Sequence, residues 1–489
     1  MRGIGKCRPV IDWPIRICGP PGLNAAVPGH NGTCNGAYDA GTPPRRHGVV
    51  AERACPEGLS LVQRIDRCLL PDLLRDLQLI VVAVLKETVM KIALVAEQAS
   101  QVTSSRGAAA ADPGSQVFGL STLARTLGGL GHQVTIYARK DAPGLSARST
   151  VAPGVTIEHL PAGPATKLAA DKALPHMAAF SGQLAQRWRE AAPDVVHSHF
   201  WTGGLAALAA TRDVPVPVVQ TFHSLGTTEQ RHYGASAGGP EARLRLEGLI
   251  ARSVSAVLAS SSGEMSELAR LGVPRSAIRV IPYGVDTAEF VPSGPVARRN
   301  GRPRLLAVAP LTERSGLDVI IRAITEVPRC ELVIAGGPPR AQLSKDPVYR
   351  ALVRLIMSLG VGDRVVFTGQ VSRARMPALL RSADLLVHTT LYEPFGMVPL
   401  EAMACGTPVV AAAGGSHQDA IVDGATGVLV RPGQPAQLAR QIRQLLASPM
   451  LLQGYGIAAA DRARARYSWD RIGQETLAVY ERSLLRRAA

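Results

Sequence analysis

With 489 residues the chain is too long for one hydrophobic core, which predicts two domains with additions. Hydrophobic residues make up 46% and charged ones 19%, a globular balance, and the longest apolar candidate, Leu77 to Leu85, is too short to cross a membrane. A net charge of +16 favours anionic neighbours, meaning phosphate-bearing substrates or an anionic membrane surface, whereas 4% aromatics without a basic and aromatic platform argue against nucleic acid.

In chain order, Met1 to Pro21 is interrupted by Pro9, Asp12, Pro14 and Arg16 before any apolar core forms, so it does not read as a signal peptide and a cytoplasmic protein is the default. Cys7, Cys18, Cys34, Cys55 and Cys68 crowd this region without a Cys-x-x-Cys pair, which weakens both a zinc site and, absent secretion, a disulfide framework. Residues 1–89 read as an irregular extension, with helix-compatible sequence only over Pro71 to Val89. Met90-Lys91-Ile92-Ala93-Leu94-Val95 then begins abruptly as a buried strand, and the composition break there predicts that the functional protein starts at Met90.

From Met90 strands and helices alternate, the pattern of parallel sheets with crossover helices. Strands are expected at Lys91 to Ala96, Gln133 to Ala138, Asp194 to His197, Val218 to Phe222, Ala256 to Ala259 and Ile278 to Pro282. Helices are expected near Gln116 to Leu130, His176 to Ala191, Gly203 to Thr211 and Glu241 to Ser253. These place a first α/β domain at 90–290, followed by a Pro, Gly and Arg-rich linker at 291–303. A second domain, 304–466, repeats the scheme with strands at Arg304 to Val308, Glu331 to Ala335, Arg364 to Thr368, Asp384 to His388 and Val409 to Ala412. A last helix occupies 467–489. Two such halves imply a cleft lined by the carboxyl ends of both sets of strands.

The most informative segment is Glu393 to Val410, EPFGMVPLEAMACGTPVV. Gly396 opens a helix that includes Met397 and Val398, and Gly406 lies past its end. Free N–H groups and the positive dipole end at such a start suit a phosphate. Glu393 before the helix and Glu401 within it cannot serve the phosphate, because like charges repel, so they should accept hydrogen bonds from hydroxyls on either side of it. Ribose hydroxyls, a diphosphate and sugar hydroxyls have that layout, as in a nucleotide sugar.

This segment resembles the signature of the retaining glycosyltransferases of family four, or group 1 glycosyltransferases, over about Met90 to Ala489. The resemblance implies the GT-B fold: two Rossmann-like parallel-sheet domains facing a cleft, with the C-terminal helix crossing back to the first. It implies transfer from a nucleotide-sugar donor to a hydroxyl of a sugar, phosphosugar or lipid-linked acceptor, with no cofactor and no catalytic metal. By the family pattern Glu393 contacts the donor sugar and Glu401 the ribose. Gln220-Thr221-Phe222-His223 resembles the family's Thr-Phe-His, whose histidine approaches the donor sugar. His197 and His199 either touch substrate or support the loop, and Arg231 in Gln230-Arg231-His232 either meets the acceptor or belongs to a solvated basic loop.

Two departures stand out. The family's Gly-Gly pair in the first strand-to-helix loop corresponds to Gly114-Ser115 here, where a Cβ narrows the space. After the strand ending at Val308 the family has an arginine and a lysine on the donor diphosphate, where this chain has Pro310 and Ser315, with Arg314 adjacent. Each missing cation is expected to cost on the order of 2 to 4 kcal/mol in transition-state stabilisation. Gly369, in Phe367-Thr368-Gly369-Gln370, resembles the base-binding turn but equally suits an ordinary one.

Overall fold

A computed structural model describes residues 89–100 and 115–488. The chain falls into two units, Met1–Leu74 and Arg75–Ala489, and every described residue belongs to the second. Residues 1–88 of the N-terminal extension and Gly114 therefore lie outside the described residues.

The first sheet has eight strands: β1 Lys91–Val95, β2 Gln133–Arg139, β3 Arg148–Ala152, β4 Val155–Leu160, β5 Val195–His199, β6 Val218–Thr221, β7 Ala256–Ala259 and β8 Ile278–Val280. They lie in the order β3-β4-β2-β1-β5-β6-β7-β8. All pairs are parallel except β3 with β4. The central strands are short apolar runs because crossover helices cover both faces, so β1 keeps Ile92, Ala93, Leu94 and Val95 at 1% exposure or less. The β3–β4 hairpin is absent from the expected alternation. Its signal is Pro153-Gly154, with Gly154 at φ +71°, a tight turn that only local turn chemistry reveals.

The second sheet contains β9 Arg304–Val308, β10 Glu331–Ala335, β11 Val365–Gly369, β12 Leu385–His388, β13 Val409–Ala412 and β14 Gly427–Val430. The order is β11-β10-β9-β12-β13-β14, parallel throughout. The sequence reading lacks β14, a four-residue edge strand that opens on a glycine and carries little strand signal of its own.

The helix Trp469–Ala488 leaves the second half and packs on the first. Trp469, Ile472, Leu477, Val479 and Tyr480 join one apolar cluster with β1, β2 and the helix Ser115–Gly129. The helices meet closely at Gly473, where a Cβ would lie 2.6 Å from Thr126 Cγ2. Truncating Ile472 to alanine would leave a cavity costing about 2 to 5 kcal/mol. Both halves also touch at the carboxyl ends of their strands. Met397 belongs to the first half's cluster, Tyr233 Oη donates to the Tyr392 carbonyl at 2.7 Å, and Ser260 Oγ donates to the Pro394 carbonyl at 3.1 Å.

Candidate active site

Strand ends β5 and β6 deliver three histidines to one buried floor. His197 Nδ1 lies 2.7 Å from Tyr480 Oη on the C-terminal helix, and its Nε2 lies 2.8 Å from Thr221 Oγ1. His199 Nδ1 lies 3.0 Å from His223 Nε2, while His223 Nδ1 bonds Tyr283 Oη. His199 Nε2 is buried without a partner. Burial pushes the His223 imidazole down to about 3. Burial, followed by the neighbouring His223, also takes His197 to about 3, and burial, followed by His197 and His223, holds His199 well below its ordinary value. All three are neutral near pH 7 and serve as hydrogen-bonding groups. A cavity of about 50 Å³ lined by His197, His199, Thr221, His223, Tyr283 and Trp469 adjoins them. It has room for a few waters.

The backbone at this floor is strained. His223 has φ +68° and Phe200 φ +62°, and their rings lie 4.4 Å apart. A left-handed conformation costs a non-glycine residue roughly 1 to 2 kcal/mol, and such outliers concentrate at ligand sites.

Across the cleft, β12 ends at His388 and leads into the Glu393 turn. Glu393 Oε1 accepts from the N–H groups of Phe395 and Gly396 at 3.2 and 3.1 Å, so the carboxylate caps its own turn. Gly396, at φ +68°, precedes the helix Met397–Ala404. Loop 414–416 clamps the turn from behind: Ser416 N donates to the Glu393 carbonyl at 2.8 Å, and a Cβ on Gly415 would lie 2.1 Å from that oxygen. Phe395 meets Tyr283 edge to face with centroids 4.7 Å apart, which sets Phe395 beside the histidine floor. The side chains of Met397 and Val398 are buried, leaving their backbone N–H groups as what they can offer a ligand.

The remaining candidates are more committed than their sequence positions indicate. Glu401 is 2% exposed, with Oε1 accepting from Arg373 at 2.6 Å and Oε2 buried without a partner. Burial pushes its carboxyl up to about 7 against the pull of Arg373. A ribose reaches Glu401 only if the surrounding side chains move. Arg314 is directed across the cleft, with its guanidinium carbon 4.2 Å from the Tyr233 ring centroid. Ser315 is buried and its hydroxyl donates to the Pro310 carbonyl at 2.7 Å, whereas Pro310 itself is exposed. Arg231 sits on the helix Gly226–Tyr233, not on a loop, and forms an ion pair with Glu267. Gly369, at φ +70°, packs against the 338–340 backbone, where a Cβ would lie 2.7 Å from Arg340 N.

Several participants were missed by sequence reasoning. Tyr283 stands directly before Gly284-Val285-Asp286, which marked only the end of a domain. His388 ends a strand, the criterion that picked out His197, and His417 follows Gly414-Gly415. Glu97, just after β1, is 2% exposed and accepts from the Thr202 hydroxyl and from Gln98 Nε2 at 3.1 Å. Its Oε2 is buried and partnerless, and burial raises its carboxyl above the usual range.

Comparison with known proteins agrees with this geometry. Residues 294–462 match the family Glycosyl transferases group 1, and residues 119–284 match the Glycosyl transferase 4-like domain. D-inositol 3-phosphate glycosyltransferase 2 of Catenulispora acidiphila is 33% identical over 395 residues, covering 76% of this chain and 91% of the relative. The D-inositol 3-phosphate glycosyltransferase of Frankia alni is 31% identical over 384 residues, 74% and 93% of the two chains. Sucrose-phosphate synthase of Thermosynechococcus elongatus superposes with a TM-score of 0.71 at 27% identity, over 81% of this chain and 99% of the other. Anabaena HepE in complex with UDP-glucose superposes at 0.60 with 22% identity, over 80% and 99%. With two parallel-sheet halves, a returning C-terminal helix and the Glu393 turn between them, the chain belongs to the group 1 glycosyltransferases.

Proposed function

We propose that the protein transfers a sugar from a nucleotide-sugar donor to a hydroxyl of a phosphorylated polyol, with retention at the anomeric carbon. The observation that carries this is the Glu393 turn: a carboxylate held by its own backbone at the start of the helix Met397–Ala404, in a turn whose Phe395 ring lies 6.5 Å from that of neutral His223. The donor diphosphate takes the free N–H groups of that helix start, and Glu393 and His223 position the donor sugar. The departing diphosphate accepts the proton of the attacking hydroxyl on the same face, a route that asks for no metal and no other cofactor. Glu401 is the ribose contact once Arg373 and its neighbours give way, Gly114 is by its sequence position a donor contact, and His199 lies toward the acceptor. A phosphorylated acceptor is favoured by the net charge of +16 and by the relatives named for D-inositol 3-phosphate. The two-domain partition at 90–290 and 304–466 follows from the same reading, as do a cytoplasmic location and contact with an anionic inner membrane surface.

A second reading has a specific observation behind it. Ser315 turns inward and Arg314 is occupied by Tyr233, so the diphosphate lacks the two cations the family supplies. This describes a nucleotide-sugar-binding protein with weakened catalysis. A panel of UDP-, GDP- and ADP-sugars, assayed with and without D-inositol 3-phosphate, separates the two. Acceptor-dependent release of the nucleoside diphosphate and an α-linked product from an α-linked donor are expected. Tight donor binding with no product establishes the second reading instead.

A further inference from the structure

The tautomers around Glu393 are fixed by a chain of hydrogen bonds. His417 Nδ1 lies 2.8 Å from the Ala412 carbonyl, which can only accept, so Nδ1 carries the proton and Nε2 a lone pair. His388 Nδ1 lies 3.1 Å from that lone pair and must donate to it. The remaining ring nitrogen, His388 Nε2, is then an acceptor, and it faces Glu393 Oε2 at 3.9 Å. Both histidines are buried, and no arginine or lysine pairs with Glu393 among the described residues. Two acceptors, one of them charged, thus face each other with no hydrogen between them.

We infer that His388 Nε2 and Glu393 Oε2 form a binding site for zinc or a similar borderline divalent ion, whose occupancy inhibits transfer by capturing Glu393. The supporting contacts have the form that metal ligands use. A ligating histidine donates its other ring N–H to an acceptor, here His417 Nε2, and a ligating carboxylate is itself hydrogen-bonded, here by the N–H groups of Phe395 and Gly396. Tetrahedral zinc with bonds near 2.1 Å sets its nitrogen and oxygen ligands about 3.4 Å apart. The observed 3.9 Å therefore closes with a shift of about 0.5 Å. His417, whose ligand atom lies within 4.8 Å of the other two, orients His388 and is a positioning residue.

Inhibition rests on the reading that Glu393 meets the donor sugar, whereas the binding site does not. Zinc titration of the full chain by calorimetry is expected to show a micromolar site that His388→Gln weakens at least tenfold, and that His417→Ala weakens tenfold to a hundredfold. An unchanged isotherm in His388→Gln, or loss of the site in His199→Gln instead, overturns the proposal. If His388→Gln does not fold, X-ray absorption of the zinc-loaded wild type decides: imidazole and oxygen ligation supports the site, and sulfur ligation overturns it. In parallel, zinc is expected to raise the apparent KM for the donor. Zinc bound through His388 without inhibition leaves the site standing and removes Glu393 from the donor sugar.

Discussion

In the first half, His197, His199 and His223 are bonded to each other or to Tyr480, Thr221 and Tyr283, are buried, and are neutral because burial holds them so. In the second half, Glu393 uses one oxygen on its own turn and leaves the other 3.9 Å from His388 Nε2. The first region is thus a surface whose ring nitrogens, apart from His199 Nε2, are already satisfied, and the second presents a charge with unspent capacity. A preorganised charge stabilises a transition state more than a satisfied neutral group does, so the two regions should differ in what their loss does to rate.

Glu393→Gln tests that difference most strongly. The amide oxygen still accepts from Phe395 and Gly396, so the fold is kept, but the charge is gone. Transfer is expected to fall about a thousandfold with the melting temperature nearly unchanged. His223→Asn, which tolerates the left-handed backbone at φ +68°, is expected to lose only about tenfold to a hundredfold. Steady-state kinetics on both variants checks the order, and a larger loss at His223 would reverse the comparison.

Pro310 and Ser315 give a smaller and more selective test. Pro310 is exposed, so Pro310→Arg restores a cation without disturbing packing, and transfer should rise about tenfold if the donor diphosphate lies there. Ser315 is buried in a turn closed by its bonds to Pro310 and Thr312, so Ser315→Lys should cost about 1 to 3 kcal/mol of stability. A proline variant with unchanged kinetics would show that the helix start at Gly396 holds the diphosphate unaided.

How far the sequence disclosed these regions follows from how local each signal is. The strands Arg304–Val308, Glu331–Ala335 and Val409–Ala412 were legible to the residue, because a buried parallel strand is a short apolar run bounded by polar or turn residues. The helix start at Gly396 was legible as well, since a glycine must adopt the positive φ there. The partners were not legible. Arg373 reaches Glu401 across 28 positions, Tyr480 reaches His197 across 283, and no periodicity links them. Whether a polar residue at a strand end is open or satisfied is decided by such distant contacts. That is why Arg314, the nearest cation by sequence, is found stacked on Tyr233.

The smallest expected effect distinguishes the two regions by sign. His197 and His223 have folded values near 3 against an ordinary 6.5, so between pH 6.5 and 3 the unfolded chain binds more protons and stability falls as pH falls. Glu401 is raised to about 7 from an ordinary 4.5, so between those values the folded chain binds more protons, and stability falls as pH rises through that window. Each group contributes a slope of up to about 1.4 kcal/mol per pH unit where it acts. Melting temperatures from pH 4.5 to 7 should therefore show His223→Asn gaining on the wild type as pH falls, and Glu401→Gln gaining as pH rises. Because Arg373 also engages Glu289 at 3.2 Å, the glutamine at 401 does not strand a buried cation. If both variants drift in the same direction, the buried imidazoles and the Glu401 carboxyl are not held in opposite senses, and the contrast between the two regions fails at its electrostatic root.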